Sequence, residues 1–345
     1  MIGYYVHHHG HGHRHRATAI ATACRTPVIG FSSLPRPAGW PGRWVRLPDD
    51  ADGVDPGTAD VTAGATLHWV PRLHAGLAAR MGRISAELAR GEVTVMVVDV
   101  SVEVAVLARL HGIPVAVVAQ PGVRTDRAHR TAYDLAERLL APWPRRPAPD
   151  WPREWLAKTV HLGAVSRFDG RVPPVHPAGR RVLALWGSGG LDLDPATLAA
   201  TAAACRRWDW EVAGPPPPDT ARPANMQWIG WSDDMWPLLC AADVVVTHAG
   251  QNALAEIAAA RRPAVVVPQQ RPHDEQRATG RALAAAGTAA VAPRGPAAQD
   301  WPALLDEAVD RGGLGWGAWS DGRGAARAAA VLTDLAGGAP CAPRS

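Results

Sequence analysis

The residues best suited to chemistry are Thr247-His248-Ala249-Gly250-Gln251-Asn252, with Glu256 shortly after them. The apolar run Ala242-Asp243-Val244-Val245-Val246 before them reads as a buried parallel strand, and Ala253 to Ala260 as a helix. A strand therefore ends, Gly250 permits a tight turn and close backbone approach, and a helix N-terminus points outward. Free N–H groups and a partial positive charge make that end a seat for a phosphate. Glu256 stands six residues past Gly250, nearly two turns into the helix. A carboxylate there can accept both hydroxyls of a ribose; the alternative is an ordinary surface glutamate. One βα step later come Val265-Val266-Val267-Pro268, a loop, and His273-Asp274-Glu275-Gln276. Together the two loops predict a site for a sugar carried on a nucleoside diphosphate.

A second cluster lies near the N-terminus, where six of the nine residues from His7 to His15 are histidine. Gly10, Gly12 and Arg14 interrupt the run, and it lies between a strand and a helix, so it is not a purification tag. Histidine-rich tracts do bind metals, but no carboxylate or cysteine is close in sequence. The third reading is catalytic. A neutral imidazole at a helix start can take a proton from a hydroxyl. Asp99 ends the strand Val93 to Val98, on the same rim of the sheet as His13. Read from its neighbours alone it caps the helix that follows, where Ser101 and Glu103 stand.

Alternating apolar runs and helical patterns must position these groups. Strands are expected at Ile2 to Val6, Val28 to Phe31, Trp44 to Leu47, Val93 to Val98 and Pro114 to Ala119. Helices are expected at Ala17 to Cys24, Leu67 to Leu88, Val102 to Leu110 and Arg127 to Leu140. A second α/β run has strands at Arg181 to Trp186, Trp210 to Ala213, Met226 to Ile229, Val244 to Val246, Ala264 to Val267 and Ala289 to Val291. Asp194 and Pro195 open a helix running to Arg206. The expected organisation is an N-terminal domain over 1–150, a Pro- and Trp-rich connection over 151–180, a C-terminal domain over 181–337 and a disordered tail over 338–345. Both domains are Rossmann-like and doubly wound, with ligands at the carboxyl ends of the strands.

At 345 residues and 47% hydrophobic content the chain suits two ordinary globular domains. No uncharged apolar run approaches the roughly 18 residues of a membrane span. The N-terminus lacks the basic and long apolar regions of a signal peptide, which predicts a cytoplasmic protein. Cys24, Cys205, Cys240 and Cys341 have neither metal-ligand nor redox spacing. Lys158 is the only lysine, a pattern of GC-rich coding, so abundant arginine is no argument for nucleic acid. Up to Gly170 there are 20 basic against 15 acidic residues, and beyond it 16 against 17. A basic N-terminal half suits an anionic acceptor or peripheral contact with the inner membrane face, or is a solvated face.

The segments Gly230-Trp231-Ser232-Asp233-Asp234-Met235, Ala242 to Gly250, Glu256-Ile257-Ala258, Pro263, Val267-Pro268 and Gln276 resemble the donor half of GT-B glycosyltransferases. The resemblance is greatest to family 28, including the MurG type, and covers about Val182 to Ala292. It implies a UDP-sugar donor, an acceptor hydroxyl, inversion and no obligatory metal or other cofactor. On the same basis His248, Gly250, Gln251 and Asn252 hold the diphosphate and Glu256 the ribose. Glu275 and Gln276 bind the donor sugar, Trp231 and Met235 flank the base, and Gly187, Ser188 and Gly189 lie near the phosphates. Gly10-His11-Gly12-His13 resembles the first Gly-rich loop of family 28, which implies His13 as the base, with His11 the second candidate, and Asp99 orienting it. Thr279 replaces an asparagine common in the MurG type, and Gln251 a small residue. Asp192-Leu193-Asp194 spells the metal motif of the other large glycosyltransferase fold but reads better as a helix cap, and Gly187 to Gly190 lacks the Lys-Ser/Thr ending of a Walker loop. Two rivals are a nucleotide-sugar epimerase or hydrolase of the same fold and a non-catalytic nucleotide-sugar-binding protein.

Overall fold

The computed structural model describes residues 1–8, 10–146, 151–175, 179–186, 195–216, 222–292 and 299–337, with His11 described by its backbone. One parallel sheet contains β1 (Ile2–Val6), β2 (Val28–Ser32), β3 (Arg43–Arg46), β4 (Val95–Asp99), β5 (Val115–Val118), β6 (Arg138–Ala141) and β7 (Thr159–His161). A second contains β8 (Arg181–Leu185), β9 (Asp209–Ala213), β10 (Met226–Gly230), β11 (Val244–Thr247), β12 (Ala264–Val266) and β13 (Ala290–Val291). Between strands run α1 (His11–Ala23), α2 (Ala75–Leu88), α3 (Val102–Leu110), α4 (Arg127–Leu135), α5 (Arg153–Lys158), α6 (Pro195–Ala204), α7 (Trp236–Ala241), α8 (Gln251–Ala260) and α9 (Glu275–Ala285). α10 (Trp301–Arg311), α11 (Trp316–Trp319) and α12 (Gly324–Gly337) close the chain.

The first sheet is ordered β3-β2-β1-β4-β5-β6-β7 and the second β10-β9-β8-β11-β12-β13. Each therefore reverses its winding once, between β1 and β4 and between β8 and β11. In open parallel sheets the loops at that switch point diverge and leave room for a ligand at the strands' carboxyl ends. The central strands read as continuous apolar runs because helices cover both faces; β1, β2 and β4 are buried along their whole length. The second sheet packs Val182, Ala184, Val244, Val246 and Val265 against Trp210, Trp301 and Leu305.

The compact units are residues 1–120, 124–162 and 323–345, and residues 121–123 and 163–322. This redraws the expected boundaries. Within the expected connection, α5 and β7 belong to the first unit, because β7 pairs with β6 as the edge of its sheet. Most of the last expected stretch of the second domain, α12, also belongs to the first unit and packs on α1 and β4. Its buried residues Ala328, Ala329 and Leu332 supply that face. Two helices are shorter than their periodicity suggests. The one expected from Leu67 starts at Ala75, because Pro71 bars the helical conformation before it and His74 supplies the cap, accepting the Leu77 N–H. The one expected to reach Leu140 stops at Leu135, and Leu139 and Leu140 instead pair with Val117 and Val118 in β6. Cys24, Cys205 and Cys240 are free thiols; the 338–345 tail and Cys341 lie outside the described residues.

Candidate active site

In the first unit, β1 and β4 run in register with Val6 opposite Asp99. The chain leaving β1 and the side chain ending β4 therefore emerge side by side at the switch point. Gly10 turns the chain into α1 at φ 82°, a conformation that favours glycine. His13 lies in the first turn. Its Nδ1 is 2.9 Å from Asp99 Oδ1. One turn further on, Arg16 Nη2 donates to Oδ1 at 2.7 Å and to Oδ2 at 3.0 Å, and Arg16 Nε donates to Oδ2 at 3.3 Å.

Asp99 is fully buried. Burial alone would raise its pKa, but the charges and hydrogen bonds of Arg16 and His13 outweigh it and hold the carboxyl well below the usual carboxylate range. An ionised Asp99 accepts from Nδ1–H, so the Nε2 of a neutral His13 carries the lone pair a general base needs. Asp99 is not the cap of α3: Ser101 is, its hydroxyl accepting the Val104 N–H. Val100, between them, sits at φ 62°. A β-branched residue there costs about 1–3 kcal/mol, and strain of this kind collects at functional sites.

The same loop carries a second polar set. His8 Nε2 is 3.6 Å from Asp50 Oδ1, and buried Arg80 reaches that oxygen at 3.0 Å while donating to Tyr5 Oη at 2.9 Å. The His7 ring lies 5.6 Å from the His13 ring. His11 is in the first turn of α1, and Gly12 beside it.

His68, Asp126 and His129 form a candidate cation cluster, their ligand atoms within 4.8 Å of one another. Its hydrogen bonds compete with a metal. Asp126 Oδ2 is 2.6 Å from His129 Nδ1, and Arg124 Nη1 approaches His129 Nε2 at 3.2 Å. A donating guanidinium fixes the lone pair on Nε2, leaving the proton on the nitrogen that faces Asp126. Burial first, then Arg124 and His68, lowers the His129 pKa to about 4. Between the ordinary 6.5 and about 4 the unfolded chain binds a proton that the folded chain refuses. Stability at this group is full above that window and falls as pH drops through it, by at most about 1.4 kcal/mol per pH unit. Replacing His129 with Gln is expected to flatten the melting temperature between pH 6.5 and 4.5 relative to the parent; an unchanged slope would count against the assignment.

In the second unit β11 ends at Thr247, whose hydroxyl donates to Leu185 O at 2.9 Å and ties β11 to β8. The next turn differs from the sequence expectation in its use of Gly250. This residue has an ordinary φ of −74°. Glycine makes room for the His248 ring: a Cβ would stand 2.2 Å from its Cε1 and displace it. The Gly250 N–H also donates to His248 Nδ1 at 2.8 Å, so it is not a phosphate donor here. That bond leaves the proton of a neutral His248 on Nε2. No side chain caps α8, which starts at Gln251, and a helix start of this kind directs backbone N–H groups toward a bound anion.

Glu256 is 6% exposed, set among the buried face of α8 and not on the surface. It accepts from Arg167 Nε at 2.9 Å and from Asn252 Nδ2 at 3.2 Å. Arg167 also donates to Asp233 O at 3.0 Å and lies over the Phe168 ring. Burial raises the Glu256 pKa, and Arg167 partly offsets it. Gln276 is buried too, and its Oε1 accepts the Ala249 N–H at 3.2 Å and the Gln269 N–H at 3.0 Å. It ties the two loops together, which leaves its NH2 end for a ligand. Glu275 opens α9 directly after His273 and Asp274, both left-handed at φ 61° and 55°. Trp231 is 67% exposed and Met235 precedes α7. Gly187, Ser188, Gly189, Asp192 and Asp194 lie outside the described residues.

The structure thus brings His13 to Asp99, Asn252 to Glu256, and Gln276 to the turn before Gly250. Sequence reasoning missed Arg16 and Arg167. The spacing of His13 and Arg16, one helical turn, was the signal for the first; nothing local marks the second.

Residues 217–310 match the Glycosyltransferase family 28 C-terminal domain. The chain resembles the UDP-N-acetylglucosamine--N-acetylmuramyl-(pentapeptide) pyrophosphoryl-undecaprenol N-acetylglucosamine transferase of Clavibacter michiganensis subsp. michiganensis, with 36% identity over 123 residues. That match spans 33% of this chain and 33% of the relative. Among solved structures, the glycotransferase of kitacinnamycin superimposes with a TM-score of 0.72 at 19% identity, over 97% of this chain and 98% of that one. MurG of Acinetobacter baumannii gives 0.55 at 18% identity, over 90% and 93%. The chain has the GT-B fold, and its C-terminal domain carries the match to the family 28 domain. That domain contains Trp231, Met235, the β11–α8 turn, Glu256, Glu275 and Gln276; the His13–Asp99 pair lies outside the matched residues.

Proposed function

We propose that this GT-B chain is an inverting, metal-independent glycosyltransferase that moves a sugar from UDP to an acceptor hydroxyl. Its main support is the uncapped start of α8 with His248 and buried Glu256 inside the family 28 domain. On this reading the diphosphate lies against the Gln251 and Asn252 N–H groups and His248 Nε2, and the ribose hydroxyls donate to Glu256. The Gln276 NH2 and Glu275 meet the sugar, and Trp231 and Met235 flank the base. His13 Nε2 takes the proton of the acceptor hydroxyl. The oxygen forms a bond to the anomeric carbon as the bond from that carbon to the β-phosphate oxygen breaks, and UDP leaves with the electron pair. The charge that develops on it is met by fixed N–H dipoles. A lipid-linked pyrophosphoryl acceptor, as in the name of the Clavibacter relative, is one class that suits the basic first half of the chain. Among the described residues no helix is long and apolar enough to cross a membrane, so contact with such a substrate would be peripheral.

Transfer is expected to survive EDTA with most of its rate, assayed as UDP release in the presence of acceptor. Complete loss restored by Mn²⁺ or Mg²⁺ would overturn the metal-independent reading and return attention to Asp192 and Asp194 or to the histidine clusters.

A further inference from the structure

The His13–Asp99 pair has a third member with the opposite charge. α1 places residues 13 and 16 one turn apart on the same face. Arg16, like Asp99, is buried. Its guanidinium takes both Asp99 oxygens, and its Nη2 stands 3.1 Å from His13 Nδ1. His13 Nδ1 cannot both accept from Arg16 and donate to Asp99; the buried ionised carboxylate, at the shorter 2.9 Å, takes the Nδ1–H, so that N–H and the Nη2–H of Arg16 converge on the single oxygen Oδ1.

We propose that Arg16 is a positioning residue that holds His13 as a neutral imidazole with its free lone pair on Nε2, by neutralising Asp99 while leaving it as a hydrogen-bond acceptor. This rests on the reading of His13 as the base. A carboxylate alone beside an imidazole does two things. It fixes the tautomer, and it favours the protonated ring. Here the first effect remains, because Oδ1 still accepts from Nδ1. The second is opposed, because a protonated ring would face a guanidinium at contact distance with little solvent between them. The ring then accepts a proton only when the reaction supplies it and gives it up readily afterwards.

Other groups around His13 do not replace this pair. On the β1–α1 loop the His7 ring is 5.6 Å away. On α1 itself the other charged or titratable residues near His13 in sequence are His11, Arg14 and His15. On β1, Tyr4 is buried and faces Asp99 and Arg16; burial first and then Asp99 raise its pKa, so it is uncharged. α12, packed against α1 and β4, carries Arg327 and Asp334, with Arg323 just before it, and Arg327 donates to Leu162 O.

The test is the imidazole titration of His13, followed by NMR of protein labelled in its histidine rings, with the signal assigned by its loss in His13→Asn. Arg16→Gln is expected to move the midpoint up by one unit or more, within the range an adjacent charge produces. Arg16→Lys, which keeps the cation, is expected to stay within about half a unit. An unmoved midpoint in Arg16→Gln, in a variant that still melts cooperatively, would overturn the proposal. Should that variant fail to fold, the same shift is read between Asp99→Asn and Asp99→Asn/Arg16→Gln, where the buried pair is neutral; no upward shift there would overturn it equally. The outcome does not depend on turnover. If His13→Ala kept its activity, the base reading would fail while this titration result stood.

Discussion

Replacing His13 with alanine is expected to lower turnover by a factor of about 10² to 10⁴, the contribution of a well-placed general base. UDP affinity should barely change, because the nucleotide contacts proposed above all belong to the other unit. The geometry behind this is specific: Asp99 fixes Nδ1 as the donor, so Nε2 is the atom that takes the proton. Loss of turnover with retained binding and an unchanged melting temperature is the signature of a proton acceptor. A histidine that served only packing would lower the melting temperature as well. If His13→Ala stayed active and the His11 variant did not, the base would move two residues toward the N-terminus.

Replacing Glu256 with alanine is expected to weaken UDP binding by about 1.5–3 kcal/mol, the range for a hydrogen bond to a charged group. That is roughly a 10- to 150-fold rise in Kd by calorimetry. The structure adds a condition the sequence did not suggest. Glu256 is buried and paired with Arg167, so the variant also leaves a half-buried guanidinium without its carboxylate. Some loss of stability accompanies the loss of affinity. Glu256→Gln separates the two: it keeps an acceptor oxygen for Arg167 but not the charge, and should recover stability more fully than UDP binding. Unchanged UDP affinity in Glu256→Ala would show that the ribose sits elsewhere.

The parts of the site that depend on local pattern were legible. β11, the turn and α8 follow from an apolar run, a glycine and an alanine-rich segment. That His13 and Asp99 would meet was legible because the helix after β1 and the end of β4 open on the same rim of the parallel sheet. The parts that depend on distant contacts were not legible. Arg167 reaches Glu256 across 89 positions of sequence, and no periodicity encodes that pair. The role of Gly250 was placed in backbone freedom, whereas a side chain two residues earlier decides it by occupying the space of a Cβ. Gln276 was assigned wholly to the ligand, although its oxygen binds two backbone N–H groups. α12 read as the end of the second domain because its apolar stripe says that it packs, not on what. The Leu139-Leu140 run is too short for period alone to separate helix from strand, and pairing with β5 decides it.

The most direct test of the central claim is mass spectrometry of the products formed from UDP-sugars and a panel of acceptor alcohols. The account predicts an acceptor heavier by one glycosyl residue, formed in step with free UDP and lost in His13→Ala. Consumption of the donor to an epimerised or free sugar with no change in any acceptor, or tight UDP binding with no consumption at all, would contradict it.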